Sequence, residues 1–168
     1  GKIYFAGDLS VPSGNTFTNN NIARFSNNIS TGGSFTNSGL LVAVNAFAVT
    51  GGTFENNCRL VALSFTNTGS STTNKGLIWV AGGSSAVQFN GGTFTQTSNG
   101  EVRGVHFQNA ATVKGSGKYY FTGTTTNTSS FGSDGGGINF YDVQVSGGGS
   151  KKFDNQNSSP HNSVVRTA

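Results

Sequence analysis

Residues 51–68 read GGTFENNCRLVALSFTNT. A glycine pair comes first, then a Thr-Phe step and a polar turn. An alternating apolar strand follows and ends in a second Phe-x-Asn. The unit recurs as GGTFTQTSNGEVRGVHFQN at 91–109, GGSFTNSGLLVAVNAFAV at 32–49 and GNTFTNNNIARFSNN at 14–28. Its anchors Phe17, Phe35, Phe54 and Phe94 are separated by 18, 19 and 40 residues. The last gap spans two units, and the degenerate segment 75–90, KGLIWVAGGSSAVQFN, places Trp79 at the missing anchor. A fixed period with glycine corners is the mark of stacked coils.

Each residue class in the unit then has a task. Stacked coils set equivalent residues about 4.8 Å apart. Phe17, Phe35, Phe54, Trp79 and Phe94 would form an internal aromatic column, joined by Phe107, the second aromatic of its unit, and Phe121, the first of a later one. Glycine pairs would supply corner conformations that side chains forbid. Corner asparagines would tie coil to coil through side-chain amide ladders. The expected fold is an all-β parallel solenoid with coils of roughly 18–23 residues in a single domain, 1–168, regular over 14–112 and looser over 113–168. A β-sandwich or jelly roll is the competing architecture, because it also shows short alternating strands between turn signals. The fixed period favours the solenoid. No stretch shows helical periodicity.

Composition narrows the function. Charged residues are 10% of the chain, and polarity comes from uncharged side chains, while 14 Phe, 4 Tyr and 1 Trp demand burial. That excludes a disordered polyelectrolyte. The net charge of +4 comes from dispersed basic residues, with Lys151 and Lys152 the adjacent pair, so no stripe for nucleic acid is formed. Cys58 has no partner for a disulfide or a thiolate metal site and reads as a small buried filler. No apolar run is long enough to span a membrane, and without an initiating Met or signal pattern the chain reads as a processed segment.

The paired Gly-Gly-x-Phe and Phe-x-Asn elements resemble the repeats of bacterial extracellular β-helix surface and adhesin-type proteins, the polymorphic outer-membrane and autotransporter passenger group. Gly51-Gly52-Thr53-Phe54 with Asn57 matches both elements, as does Phe25 with Asn28. The block from Tyr119 to Val143 is similar to stretches in large secreted repeat proteins of Bacteroidota type, some of them fibre-forming. The resemblance covers roughly 14–145. It implies a right-handed parallel β-helix with a structural or adhesive role outside the cell or on its surface.

Candidate chemistry is sparse. The six carboxylates are Asp8, Glu55, Glu101, Asp134, Asp142 and Asp154, no two within seven residues of each other. A polysaccharide enzyme would need Glu55, Glu101 and Asp134 to converge. His106 and His161 lie apart, with no nucleophile elbow, and no glycine-rich loop precedes a helix. The expectation is no enzyme, no metal and no cofactor. Asn28, Asn127 and Asn157 head Asn-x-Ser sequons. The threonines that precede Phe would line one solvent face, as β-branched residues do on sheet surfaces.

A solenoid with no amphipathic cap exposes strand edges at its ends. The sequence therefore predicts a structural subunit of an extracellular filament or surface layer, assembling head to tail with itself. Lys2, Ile3, Tyr4 and Phe5 at one end and Val164 and Val165 at the other would make the contacts. The alternative is a carbohydrate-binding or adhesin module with an aromatic platform from Trp79, Tyr119, Tyr120 or Tyr141. Neither reading includes nucleic acid or membrane insertion.

Overall fold

The computed structural model of the chain describes residues 1–68, 70–82, 86–115 and 117–121, followed by strands Thr125–Asn127, Val143–Val145 and Lys151–Phe153. Among these residues there are strands and turns and no helix. Every strand pairing is parallel. That excludes the antiparallel sandwich and establishes the parallel β-helix.

Each coil contributes to three faces. The first face stacks Lys2–Phe5, Ile22–Phe25, the first half of Leu40–Val49, the first half of Arg59–Asn67, Leu77–Val80, Glu101–Gly104 and Lys118–Phe121. The second stacks Leu9–Val11, Ile29–Thr31, the remaining halves of the two long strands, Ala86–Phe89 and His106–Asn109. The third is a six-stranded sheet of Thr16–Asn19, Ser34–Asn37, Thr53–Asn56, Ser71–Asn74, Thr93–Gln96 and Thr112–Gly115. The first two faces belong to one continuous sheet because Leu40–Val49 and Arg59–Asn67 run through the corner between them. A register irregularity between Ala43 and Ala46 turns that corner.

Coil length follows from register. Lys2 pairs with Ile22, Ile22 with Leu40, Leu40 with Arg59, Arg59 with Leu77, Leu77 with Glu101 and Glu101 with Lys118. The steps are 20, 18, 19, 18, 24 and 17 residues, slightly wider than the expected span. The long step arises partly at the corner between Leu77–Val80 and Ala86–Phe89. Extra residues at corners leave the strands unshifted.

The core is filled by inward-pointing columns, one residue per coil. On the third face Phe17, Phe35, Phe54, Thr72, Phe94 and Val113 are in register. Phe35, Phe54 and Phe94 are fully buried, and Phe17 is partly buried near the coil end. Rings Phe17 and Phe35 lie 4.8 Å apart and Phe35 and Phe54 5.8 Å apart. On the second face Phe47, Phe65, Val87 and Phe107 are in register, and the first face carries Phe25, Ala43, Ala62, Val80, Gly104 and Phe121. Small residues on the first face stand in the coils whose other faces supply Phe. That alternation lets three columns share one narrow interior.

Trp79 is not the missing anchor. Thr72 occupies that position between Phe54 and Phe94, fully buried, with its hydroxyl donating to Asn67 Oδ1 at 2.9 Å. Trp79 points outward on the first face and is 41% exposed, since its neighbours Ile78 and Val80 take the inward positions. The polar stretch before segment 75–90 supplies the third-face strand Ser71–Asn74.

Asparagines hold the corner between the third and first faces. Asn19, Asn37, Asn56, Asn74 and Gln96 are buried in one column. Each Nδ2 donates to the next amide oxygen at 2.7–2.8 Å, and the same nitrogen donates to the backbone carbonyl of Leu40, Arg59, Leu77 or Glu101 in turn. Gln96 closes the run on the Lys118 carbonyl at 2.9 Å. A buried amide is tolerable because these partners replace water. The second corner motif is the glycine pair. Gly52 adopts φ +61°, and a Cβ there would lie 2.0 Å from the Gly33 carbonyl oxygen of the preceding coil. Only glycine lets the coils stack so closely at that corner.

Candidate functional site

The first coil has a neighbouring coil on one side only among the described residues. Lys2–Phe5 pairs with Ile22–Phe25, Leu9–Val11 with Ile29–Thr31 and Thr16–Asn19 with Ser34–Asn37, each on one side only among the described residues. Register explains the apolar exposure there. Ile3 and Phe5 align with the buried Ala23 and Phe25, so they are inward residues, yet they are 50% and 44% exposed. Phe5 stacks on Phe25 with centroids 4.7 Å apart and planes nearly parallel. Nothing among the described residues covers its other side. Tyr4, 67% exposed, points outward beside them. Among the described residues the result is an open cross-section of core rimmed by backbone groups without a strand partner. Val164 and Val165, the expected contacts at the other end, lie outside the described residues.

The other sequence-predicted residues separate. Phe107 and Phe121 are buried core residues, 4.6 Å apart and stacked. Asn28 is exposed, but its Nδ2 donates to Asp8 Oδ1 at 3.2 Å and its Oδ1 accepts from the Ala46 amide at 3.3 Å, so it bridges three coils. Asn127 lies on strand Thr125–Asn127, and Asn157 lies outside the described residues. Of the aromatic platform, Tyr119 is buried and its phenol is pushed up by desolvation. Trp79 and Tyr120 do face outward, in register with Arg103 between them. Tyr141 lies outside the described residues. Cys58 is exposed at the corner after Asn56, not a buried filler, because Leu60 is the first inward residue of the next strand.

Glu55 and Glu101 stand on different faces, the third and the first. Each has its own cation. A hydrogen bond from Lys75 holds the Glu55 carboxyl below its ordinary range, and Glu101 accepts from Arg103 Nε, which raises the guanidinium. Asp134 lies outside the described residues. No three His, Cys, Asp or Glu side chains come together among the described residues. The threonines before Phe, Thr16, Thr53 and Thr93, do share an outward column on the third face, together with Ser34, Ser71 and Thr112.

The chain finds no match among protein-family models, curated proteins or solved structures.

Proposed function

We propose that this chain is a mechanical subunit that associates end to end, the open first coil receiving a coil of a second copy, in a filament or surface layer outside the cell. The observation that supports this is the pair Ile3 and Phe5, inward residues left about half exposed at a parallel edge that has no second partner among the described residues. Such an edge offers a row of backbone donors and acceptors to an incoming strand. A coil docked there in register would bury both side chains and extend the stack. Because the contact joins unlike ends, it repeats without closing and gives an open fibre. The extracellular setting follows the resemblance of the glycine-phenylalanine repeats to surface β-helix proteins.

The test is negative-stain electron microscopy and sedimentation of the purified 168-residue chain over a concentration series. Fibres that lengthen with concentration are expected. Phe5→Lys, which places a charge on the exposed core section, should leave circular dichroism intact and keep the chain dispersed. Dispersed particles of the unaltered chain at every concentration would overturn the reading, and undiminished fibres from Phe5→Lys would remove the first coil from the contact.

A further inference from the structure

The outward column of the first face carries a second surface. Its residues, in register, are Tyr4, Arg24, Val42, Val61, Trp79, Arg103 and Tyr120. Arginine and aromatic side chains gather at the later coils, where a groove of about 510 Å³ opens beside Trp79, Ala81, Arg103, Gly104, Val105 and Tyr120. Trp79 and Tyr120 lie two coil steps apart, about 9.5 Å along the stack. Arg103 stands between them with its guanidinium 5.1 Å from the Tyr120 ring centre, and the Arg59 guanidinium lies 5.3 Å from that of Trp79.

We propose that this groove binds an acidic saccharide, with a pyranose ring against Trp79 and a uronate carboxylate on Arg103. The electron-rich face of an indole attracts the polarised C–H face of a pyranose, and Trp79 presents a large exposed ring that contributes nothing to the core. Guanidinium matches a carboxylate in charge and planar geometry. Glu101 already contacts Arg103 at Nε, which fixes the side chain across the groove. Lys118 and Arg59 extend from the neighbouring outward column, in which Glu101 is the acidic member, so the patch is net positive. Three cations against one carboxylate suit a ligand with one negative charge per sugar better than a nucleic-acid strand, whose affinity rests on many phosphate contacts. The groove lies on the side of the solenoid and does not include the open coil end, so this inference does not depend on end-to-end association.

Trp79 is the single tryptophan of the chain, and its emission therefore reports directly on the groove. The 168-residue chain should be titrated with a galacturonate hexamer, a neutral β-linked glucose hexamer and a single-stranded oligothymidylate, following Trp79 fluorescence. The galacturonate hexamer should change the emission saturably, and added salt should weaken it. Arg103→Gln should lower its affinity about tenfold, the loss expected when a charge-assisted pair is removed. Tyr120→Ala should weaken it as well, with circular dichroism unchanged in both variants. Calorimetry on Trp79→Ala should show binding lost. No saturable change with galacturonate, equal binding of the neutral hexamer, or undiminished binding by Arg103→Gln would each overturn the proposal. Preferential binding of the oligothymidylate would overturn the saccharide class.

Discussion

At the residue scale, an aromatic side chain in this fold stabilises only if its position in the strand points inward. Phe54 is fully buried, with rings of Phe35, Phe47 and Phe65 within 4.7–6.2 Å. Phe54→Ala should cost about 3–5 kcal/mol. Trp79 is larger but faces solvent, and its loss removes little more than the Arg59 contact. Trp79→Ala should cost about 1 kcal/mol or less. Urea midpoints of the two variants decide the matter, and equal losses would mean that Trp79 belongs to the core after all.

At the element scale, the corner ladder makes the third-face strands interdependent. Asn56 donates to Asn74 Oδ1 and to the Leu77 carbonyl, and accepts from Asn37. An aspartate in its place keeps the acceptor and loses both donations while introducing a buried charge. Asn56→Asp should therefore cost about 2 kcal/mol or more at neutral pH. Burial raises the carboxyl's folded-state pKa above its unfolded value, so the folded chain holds the proton over the interval between them. Stability should then fall as pH rises through that interval and recover on acidification, when the acid regains an O–H donor. Denaturant midpoints across the acid range check this, and a variant whose stability does not depend on pH would contradict the ladder as a buried element. The same ladder was available in the sequence. The segments TFTN, SFTN, TFEN, STTN and TFTQ each end in the amide that enters it. Counting phenylalanines concealed STTN, because Thr72 breaks the aromatic series while Asn74 keeps the amide series.

At the scale of the whole molecule, stability rests on burial and inter-coil hydrogen bonds, with ion pairs peripheral. Lys75 and Glu55 pair on the surface, where screening reduces their worth. The Glu55 carboxyl is held down by the Lys75 hydrogen bond, so its contribution is present above the ordinary glutamate range. It is lost as pH falls through the depressed value. Glu55→Gln should therefore make the acid-side decline in stability shallower while costing under about 1 kcal/mol at neutral pH. Thermal melts of both proteins across the acid range measure the difference, and parallel declines would show that the pair carries no stability.

The period, the glycine corners and the inward Phe of T-F-x-N were legible because each is a local rule, tied to backbone φ or to alternation within one strand. Gly52 needs no knowledge of its neighbours to be recognised as a corner. The facing of Leu77-Ile78-Trp79-Val80 was not legible, because both alternating sets are apolar and a one-residue shift exchanges them. Only pairing with Leu60 and Val102 turns Ile78 inward and leaves Trp79 beside Arg103. Likewise Glu55 and Glu101 could not be assigned to faces until the corner lengths were known. That coils stack, and which residues make their corners, is therefore written in local sequence rules. The tertiary structure decided which side chains share a surface, because that depends on register between coils whose lengths vary from 17 to 24 residues.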